Sequence, residues 1–224
     1  MPKRSAPALA APAPSTRRRG RPGYDQQSVL EIAVAAFNEF GYDATSMGML
    51  ASRLALSKSA IYHHFSSKEE LLQVALDVAL IGLEEILTHE QAQSGPAADR
   101  LDFILRGAVK VLVTRQPYVT LLLRLHGNTV VERNALARRR AFSGTVAALL
   151  LTARDEGSVR SDIDPAVVAR LLFGMINSIV EWYRPDGPED ADRLADDVLT
   201  IALDGLREPA RPARDYLATS VRTS

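Results

Sequence analysis

The sequence contains no cysteine, which excludes a disulfide framework, a thiolate metal site and a thiol nucleophile, and makes a reducing, cytoplasmic compartment the expectation. Histidine is nearly as sparse. His63, His64, His89 and His126 form no His-Glu-x-x-His pair and no other metal-ligand spacing. No Gly-x-Ser-x-Gly elbow or phosphate-cradling glycine loop occurs either, and no nucleophile stands beside a base. A helical enzyme is therefore the remotest class, and no cofactor is expected. Long apolar runs are also missing: Leu71 to Leu83 is interrupted by Gln73 and Asp77, short of the ~20 residues that a membrane helix needs. No membrane partner is expected. Ser5 to Pro14 follow Lys3 and Arg4 like a weak signal peptide, but their prolines break the helical core such a peptide requires.

A net charge is absent too, since 27 Lys and Arg balance 27 Asp and Glu, but the balance is uneven along the chain. Residues 1 to 23 carry Lys3, Arg4, Arg17, Arg18, Arg19 and Arg21 and no acid, which leaves 21 bases against 27 acids in the remainder. A basic end on an acidic body suggests that this end meets nucleic acid. The same 23 residues hold five of the twelve prolines and almost no large apolar side chains, so they read as an unstructured arm. Residues 208 to 224 read as a shorter tail for the same reason.

What the sequence has in plenty is helical periodicity. Ala, Leu, Glu and Arg dominate residues 24 to 207, and β-branched alternation is scarce, which predicts an all-α body. Asp25 is a good N-cap for a first helix whose Val29, Ile32, Ala33, Ala36, Phe37 and Phe40 share one face, and Gly41 suits its end. Two short helices follow Thr45 or Ser46 and Ser57. Ser66-Ser67-Lys68-Glu69-Glu70 then makes a capping box for a long fourth helix. Five further helices are expected from near Pro96, over Pro117 to Leu125, over Val131 to Glu156, from Pro165 to Pro185, and over Pro188 to Leu206.

Two short helices joined by a tight turn and braced by an amphipathic helix form the helix-turn-helix plan, whose second short helix enters the major groove. Lys58, Ser59, Tyr62 and His63 are the outward polar groups that such a helix needs. Here the stretch Thr45-Ser46 through Leu50-Ala51, then Leu56 to Leu71, resembles the DNA-binding domain of TetR-family transcriptional repressors. Phe37 to Thr45 matches the end of that family's first helix. The resemblance covers about residues 25 to 72 without a gap, and departs in two places. Ala55 stands where the family usually has glycine in the turn, and Gly48 and Met49 replace polar residues early in the second helix.

The resemblance implies an N-terminal three-helix DNA-binding domain (residues 24–70) joined by the fourth helix to a larger helical domain (71–207) that binds a small effector and forms a homodimer. It places Thr45, Ser46, Lys58, Ser59, Ala60, Tyr62, His63 and Lys68 at double-stranded operator DNA. Arg17, Arg18, Arg19 and Arg21, around an Arg-Gly-Arg-Pro core, resemble a minor-groove hook, with a solubilising basic tail as the bland alternative. Phe103, Arg106, Tyr118, Leu122, Phe142, Met175 and Asn177 are the expected pocket residues. Leu171, Gly174, Ser178 and Trp182, with Leu194, Val198 and Ile201 of the last helix, are the expected dimer interface. Phe173 to Pro185 also resembles members controlling lipid, steroid or aromatic-acid breakdown through acyl-CoA ligands. A ligand-independent developmental or nucleoid-type regulator built on the same DNA domain is the alternative.

Overall fold

The computed structural model describes residues 25 to 207. The arm and the tail expected at either end lie outside the described residues. Ten helices and no strand occur among those described.

Each short N-terminal helix begins where a side chain satisfies an otherwise orphaned backbone N–H. Asp25 accepts from the Ser28 N–H at 2.8 Å and opens α1 (Gln26–Phe40). Ser46 does the same for Met49 ahead of α2 (Met47–Leu54), and Ser57 for Ala60 ahead of α3 (Lys58–His64). Ser67 caps α4 (Lys68–Thr88), while the Glu70 carboxylate reaches back to the Ser66 N–H and hydroxyl at 2.6 Å each. Neither α2 nor α3 is long enough to persist alone in water. Both persist because Leu50, Leu54, Ile61 and Phe65 are buried in one core with Val29, Ala33 and Phe37 of α1 and Leu71 and Leu72 of α4.

The body comprises α5 (Glu90–Gln93), α6 (Ala97–Thr114), α7 (Gln116–Leu123), α8 (Val130–Asp155), α9 (Pro165–Trp182) and α10 (Ala191–Arg207). α4 runs from the small domain into this body and packs on α6, α7 and α8. α9 lies on α8, α6 and α7, and α10 covers α6. By length and composition alone α9, with a mean hydropathy of 1.2, is long and apolar enough to cross a membrane, but Val168, Leu172, Ile176 and Ile179 are buried within the body as in a core helix. Arg115, the residue between α6 and α7, crosses α4 at Gly82 and donates to the Val78 carbonyl at 2.5 Å. A Cβ at position 82 would collide with that guanidinium.

One element and several boundaries differ from the sequence expectation; α9, for example, ends at Trp182 rather than at Pro185. The single turn α5 was not anticipated. α7 ends at Leu123, two residues before the expected Leu125, where Arg124 takes a non-helical conformation and its N–H is shared between the Thr120 and Leu121 carbonyls. α10 starts at Ala191 rather than Pro188, because Asp190 accepts from the Asp192 and Arg193 N–H groups at 2.9 and 3.1 Å.

Candidate DNA-binding face and effector cavity

The turn between α2 and α3 depends on one unusual residue. Ala55 adopts φ 51°, ψ 37°, the left-handed conformation that favours glycine, and it is the one non-glycine residue with positive φ among those described. Its N–H closes on the Ser52 carbonyl at 3.1 Å, and the Leu56 N–H on Ala51 at 3.0 Å, which ends α2 and redirects the chain into α3. The burial of Ile61 then turns Lys58, Ser59, Tyr62 and His63 to solvent, with Ala60 half-buried beside them. Tyr62 is 49% exposed, an aromatic ring with no covering neighbour that explains it within the domain. Gly48 leaves room for the Lys58 stem to lie across α2, where a Cβ would stand 3.1 Å from its Cε.

Two expected DNA contacts have other work inside the domain. Thr45 is only 1% exposed, and its hydroxyl donates to the Gly41 carbonyl at 2.8 Å. The Lys68 ammonium donates to the Tyr42 and Thr45 carbonyls at 3.0 and 2.9 Å and sits 4.2 Å from the Tyr42 ring centroid. Lys68 therefore ties the α1–α2 loop to the start of α4. Tyr42, half-buried there, has its phenol pushed up to about 12, by burial first and then by the charge of Glu69. Ser46 remains exposed at the N-terminus of α2, though its hydroxyl oxygen is engaged as the cap. The four arm arginines, Arg17, Arg18, Arg19 and Arg21, lie outside the described residues.

Inside the body, α4, α6, α7, α8 and α9 line a partly open cavity of about 130 Å3. Leu83, Ala108, Leu112, Val119, Leu122, Leu123, Phe142, Phe173 and Ile176 make it mostly apolar, and Arg139, Ser143 and Asn177 supply its polar groups. Of the seven expected pocket residues, Leu122, Phe142 and Asn177 line it. The other four are drawn elsewhere by specific partners or by helix phase. Arg106 bridges Asp102 and Asp196, which joins α6 to α10 and raises its pKa, chiefly through the Asp102 hydrogen bond. Tyr118 accepts from the Gln27 amide of α1 at 3.3 Å. The Phe103 ring packs edge-on to His89 at 5.6 Å, and Met175 is half-buried one position off the lining face. Arg139 was missed, yet its place three and four residues before Phe142 and Ser143 puts it on the same inward face of α8.

α7 faces both ways. Val119, Leu122 and Leu123 line the cavity, while the same helix region holds the small domain: Asn38 donates to the Pro117 carbonyl and Arg124 to the Asn38 carbonyl, each at 2.8 Å. α4 and α8 are latched by Arg138, which bonds Asp77 at 2.5 Å and Glu84 at 2.7 Å.

On the outer side of α9, Val167, Leu171, Gly174, Ser178 and Trp182 form an exposed stripe, with Leu171 65% and Trp182 48% accessible. Nothing lies within 4 Å of where a Gly174 Cβ would be, so crowding inside the chain does not explain that glycine. Ile201 of α10 is 71% exposed, but Leu194 and Val198 are buried in the packing of α10 on α6 and do not belong to the stripe.

A capped three-helix unit that presents a short polar helix, carried on a larger helical body with a mostly apolar cavity, defines a helix-turn-helix DNA-binding protein of the regulator type. Comparison with known proteins agrees. Residues 23–75 match the model for bacterial regulatory proteins of the tetR family, and residues 94–206 match a tetracyclin repressor-like C-terminal domain. The chain belongs to the TetR family of transcriptional regulators. It is 31% identical over 215 residues to the HTH-type transcriptional repressor KstR2 of Rhodococcus jostii, covering 88% of this chain and 98% of that one. Among solved structures it resembles SCO3833, a TetR-family member from Streptomyces coelicolor A3, at 50% identity and TM-score 0.76 over 80% of this chain and 91% of that one. It also resembles AibR in complex with isovaleryl coenzyme A and operator DNA, at 26% identity and TM-score 0.65, over 79% and 96%.

Proposed function

We propose that the protein is a repressor that binds a near-palindromic operator as a homodimer and leaves it when a small effector, an acyl-CoA thioester or a related acyl compound, fills the cavity. The observation that carries this reading is that the cavity wall and the anchor of the DNA-binding domain are the same helix, α7, with α4 continuous between them. Lys58, Ser59, Tyr62 and His63 of α3 meet base edges and phosphates, with Ser46 at the N-terminus of α2 beside them and Arg17 to Arg21 reaching the adjacent minor groove. Leu171, Gly174, Ser178 and Trp182 of α9, with Ile201, supply the dimer contact.

A dimer reads successive major grooves only if its two recognition helices stand about 34 to 36 Å apart. An effector lowers operator affinity by favouring a different separation, and a 100-fold release requires about 2.7 kcal/mol of differential binding. Burial of one apolar group that only the released state can accommodate supplies about 1.5–3 kcal/mol, so a ligand of modest size suffices. A mostly apolar cavity within the body supports this reading over the ligand-independent regulator, which has no use for one.

Titration of the purified protein against its own promoter region and against random DNA, at two salt concentrations, tests the first half. The reading requires preference for the promoter and a steep salt dependence from counterion release. Equal affinity for both DNAs would reject it.

A further inference from the structure

The deepest chemical clue in the body is an unpaired charge. α8 carries three consecutive arginines, and they differ sharply. Arg138 is held by two carboxylates, and Arg140 is exposed to solvent. Arg139, half-buried, turns into the cavity and has no acidic partner within ion-pair distance among the described residues. Its one hydrogen bond there is a long one, 3.4 Å from Nη1 to the Leu122 carbonyl. Opposite it, the Asn177 side-chain amide from α9 makes no hydrogen bond to the described residues. An uncompensated guanidinium facing an apolar space is costly, and a group kept at such a cost in a cavity is a candidate for ligand recognition. Burial holds the Arg139 pKa below its ordinary value, with the Arg140 charge adding to the effect.

Position sharpens the clue. Leu123, Arg139 and Asn177 belong both to the cavity and to a surface groove that continues outward past Thr120, Arg124 and Glu181. Arg139 and Asn177 therefore stand at the neck between an apolar chamber and a polar exit. The chamber holds about 130 Å3. An apolar protein cavity of about 150 Å3 accepts benzene, so the chamber itself has room for a single ring or a short branched chain of similar bulk, and anything longer must extend into the groove.

We propose that Arg139 and Asn177 form the subsite for the carboxyl oxygens of a compact acyl ligand, whose hydrocarbon part fills the chamber behind them. This rests on the effector reading above and specifies the ligand. Two sources share the chemistry. A free carboxylic acid would neutralise Arg139 directly, and a thioester would present its carbonyl oxygen at the neck while the remainder of the molecule leaves through the groove.

The test is calorimetric titration of the full chain, without DNA, with isovalerate and benzoate, with their coenzyme A thioesters, with coenzyme A alone, and with palmitoyl-CoA and cholate as oversized ligands. We expect at least one compact class to bind at least tenfold more tightly than the oversized ligands and coenzyme A. Arg139→Met should weaken that binding about 10- to 100-fold, the loss expected for a charge-assisted hydrogen bond, and Arg139→Lys should restore part of it. Asn177→Leu should weaken it less. The unliganded Arg139→Met protein should melt no lower than the parent, since the substitution removes a desolvated charge, and that melt also certifies that the variant is folded. Unchanged affinity in folded Arg139→Met, tighter binding of the oversized ligands, or no binding of any compact acyl ligand at millimolar concentration would overturn the assignment. Binding that depends on Arg139 but never releases operator DNA would leave the subsite standing and reject the effector reading instead.

Discussion

Replacing Ala55 with glycine should stabilise the protein. Holding an L-residue in the left-handed region costs about 1–2 kcal/mol, and Ala55 is held there at φ 51°. Glycine removes that strain but widens the unfolded ensemble, which returns about 0.4–1 kcal/mol of the gain. The Ala55 side chain is exposed, so no packing is lost, and the two turn hydrogen bonds, Ala55 to Ser52 and Leu56 to Ala51, use backbone atoms that the substitution keeps. The net expectation is about 0.5–1 kcal/mol of added stability. In a chain of this size that raises the melting temperature by about 1–4 °C. Thermal melts followed by circular dichroism, at matched protein concentration, resolve such a shift. Ala55→Val is the control in the opposite direction, because a β-branched residue is worse still at positive φ. A glycine variant that melts at or below the parent temperature would refute the strain argument and the turn geometry on which it rests.

Other substitutions probe different links. Lys68→Met should lower stability by about 1.5–3 kcal/mol, the scale of hydrogen bonds to a charged donor, because it strips the Tyr42 and Thr45 carbonyls of their partner; chemical denaturation measures it, and an unchanged midpoint would return Lys68 to the list of free DNA contacts. The Glu70 carboxylate is held below the ordinary value of 4.5 by the Ser66 hydroxyl and N–H, so its stabilisation is complete above that pH and is lost as pH falls through the lowered value. Glu70→Gln should accordingly flatten the acid limb of a melting-temperature profile below pH 4.5, and an identical limb would count against the cap. Leu171→Glu, which places a charge on the exposed stripe of α9, should yield folded monomer in sedimentation velocity, whereas an intact dimer would move the interface elsewhere.

The helices were readable because their boundaries are local events. Asp25, Ser46, Ser57, Ser67 and Asp164 each cap a helix with a side chain whose partner lies two or three residues away. The pocket was only partly readable because its membership is decided at long range. Arg106 of α6 is drawn to Asp196 of α10, ninety positions along the chain, and Tyr118 of α7 to Gln27 of the DNA-binding domain. Leu194 and Val198 form an amphipathic stripe that fits either a partner subunit or α6, and α6 takes it. Arg139 hid inside Arg138-Arg139-Arg140, a run that reads as a solvated face. Only its phase with Phe142 and Val146, both buried, marks the middle arginine as inward.

The central claim is that one molecule couples cavity to operator, and coupling is reciprocal: a ligand that weakens DNA binding by some factor must itself bind the DNA complex more weakly by the same factor. The most direct measurement is therefore the dissociation constant of the operator complex with and without a saturating compact acyl ligand, paired with the ligand's dissociation constant with and without operator, at one fixed salt concentration. The account predicts that both ratios are large, on the order of 100, and equal within error. A ligand that binds the cavity while both ratios stay at one would contradict it.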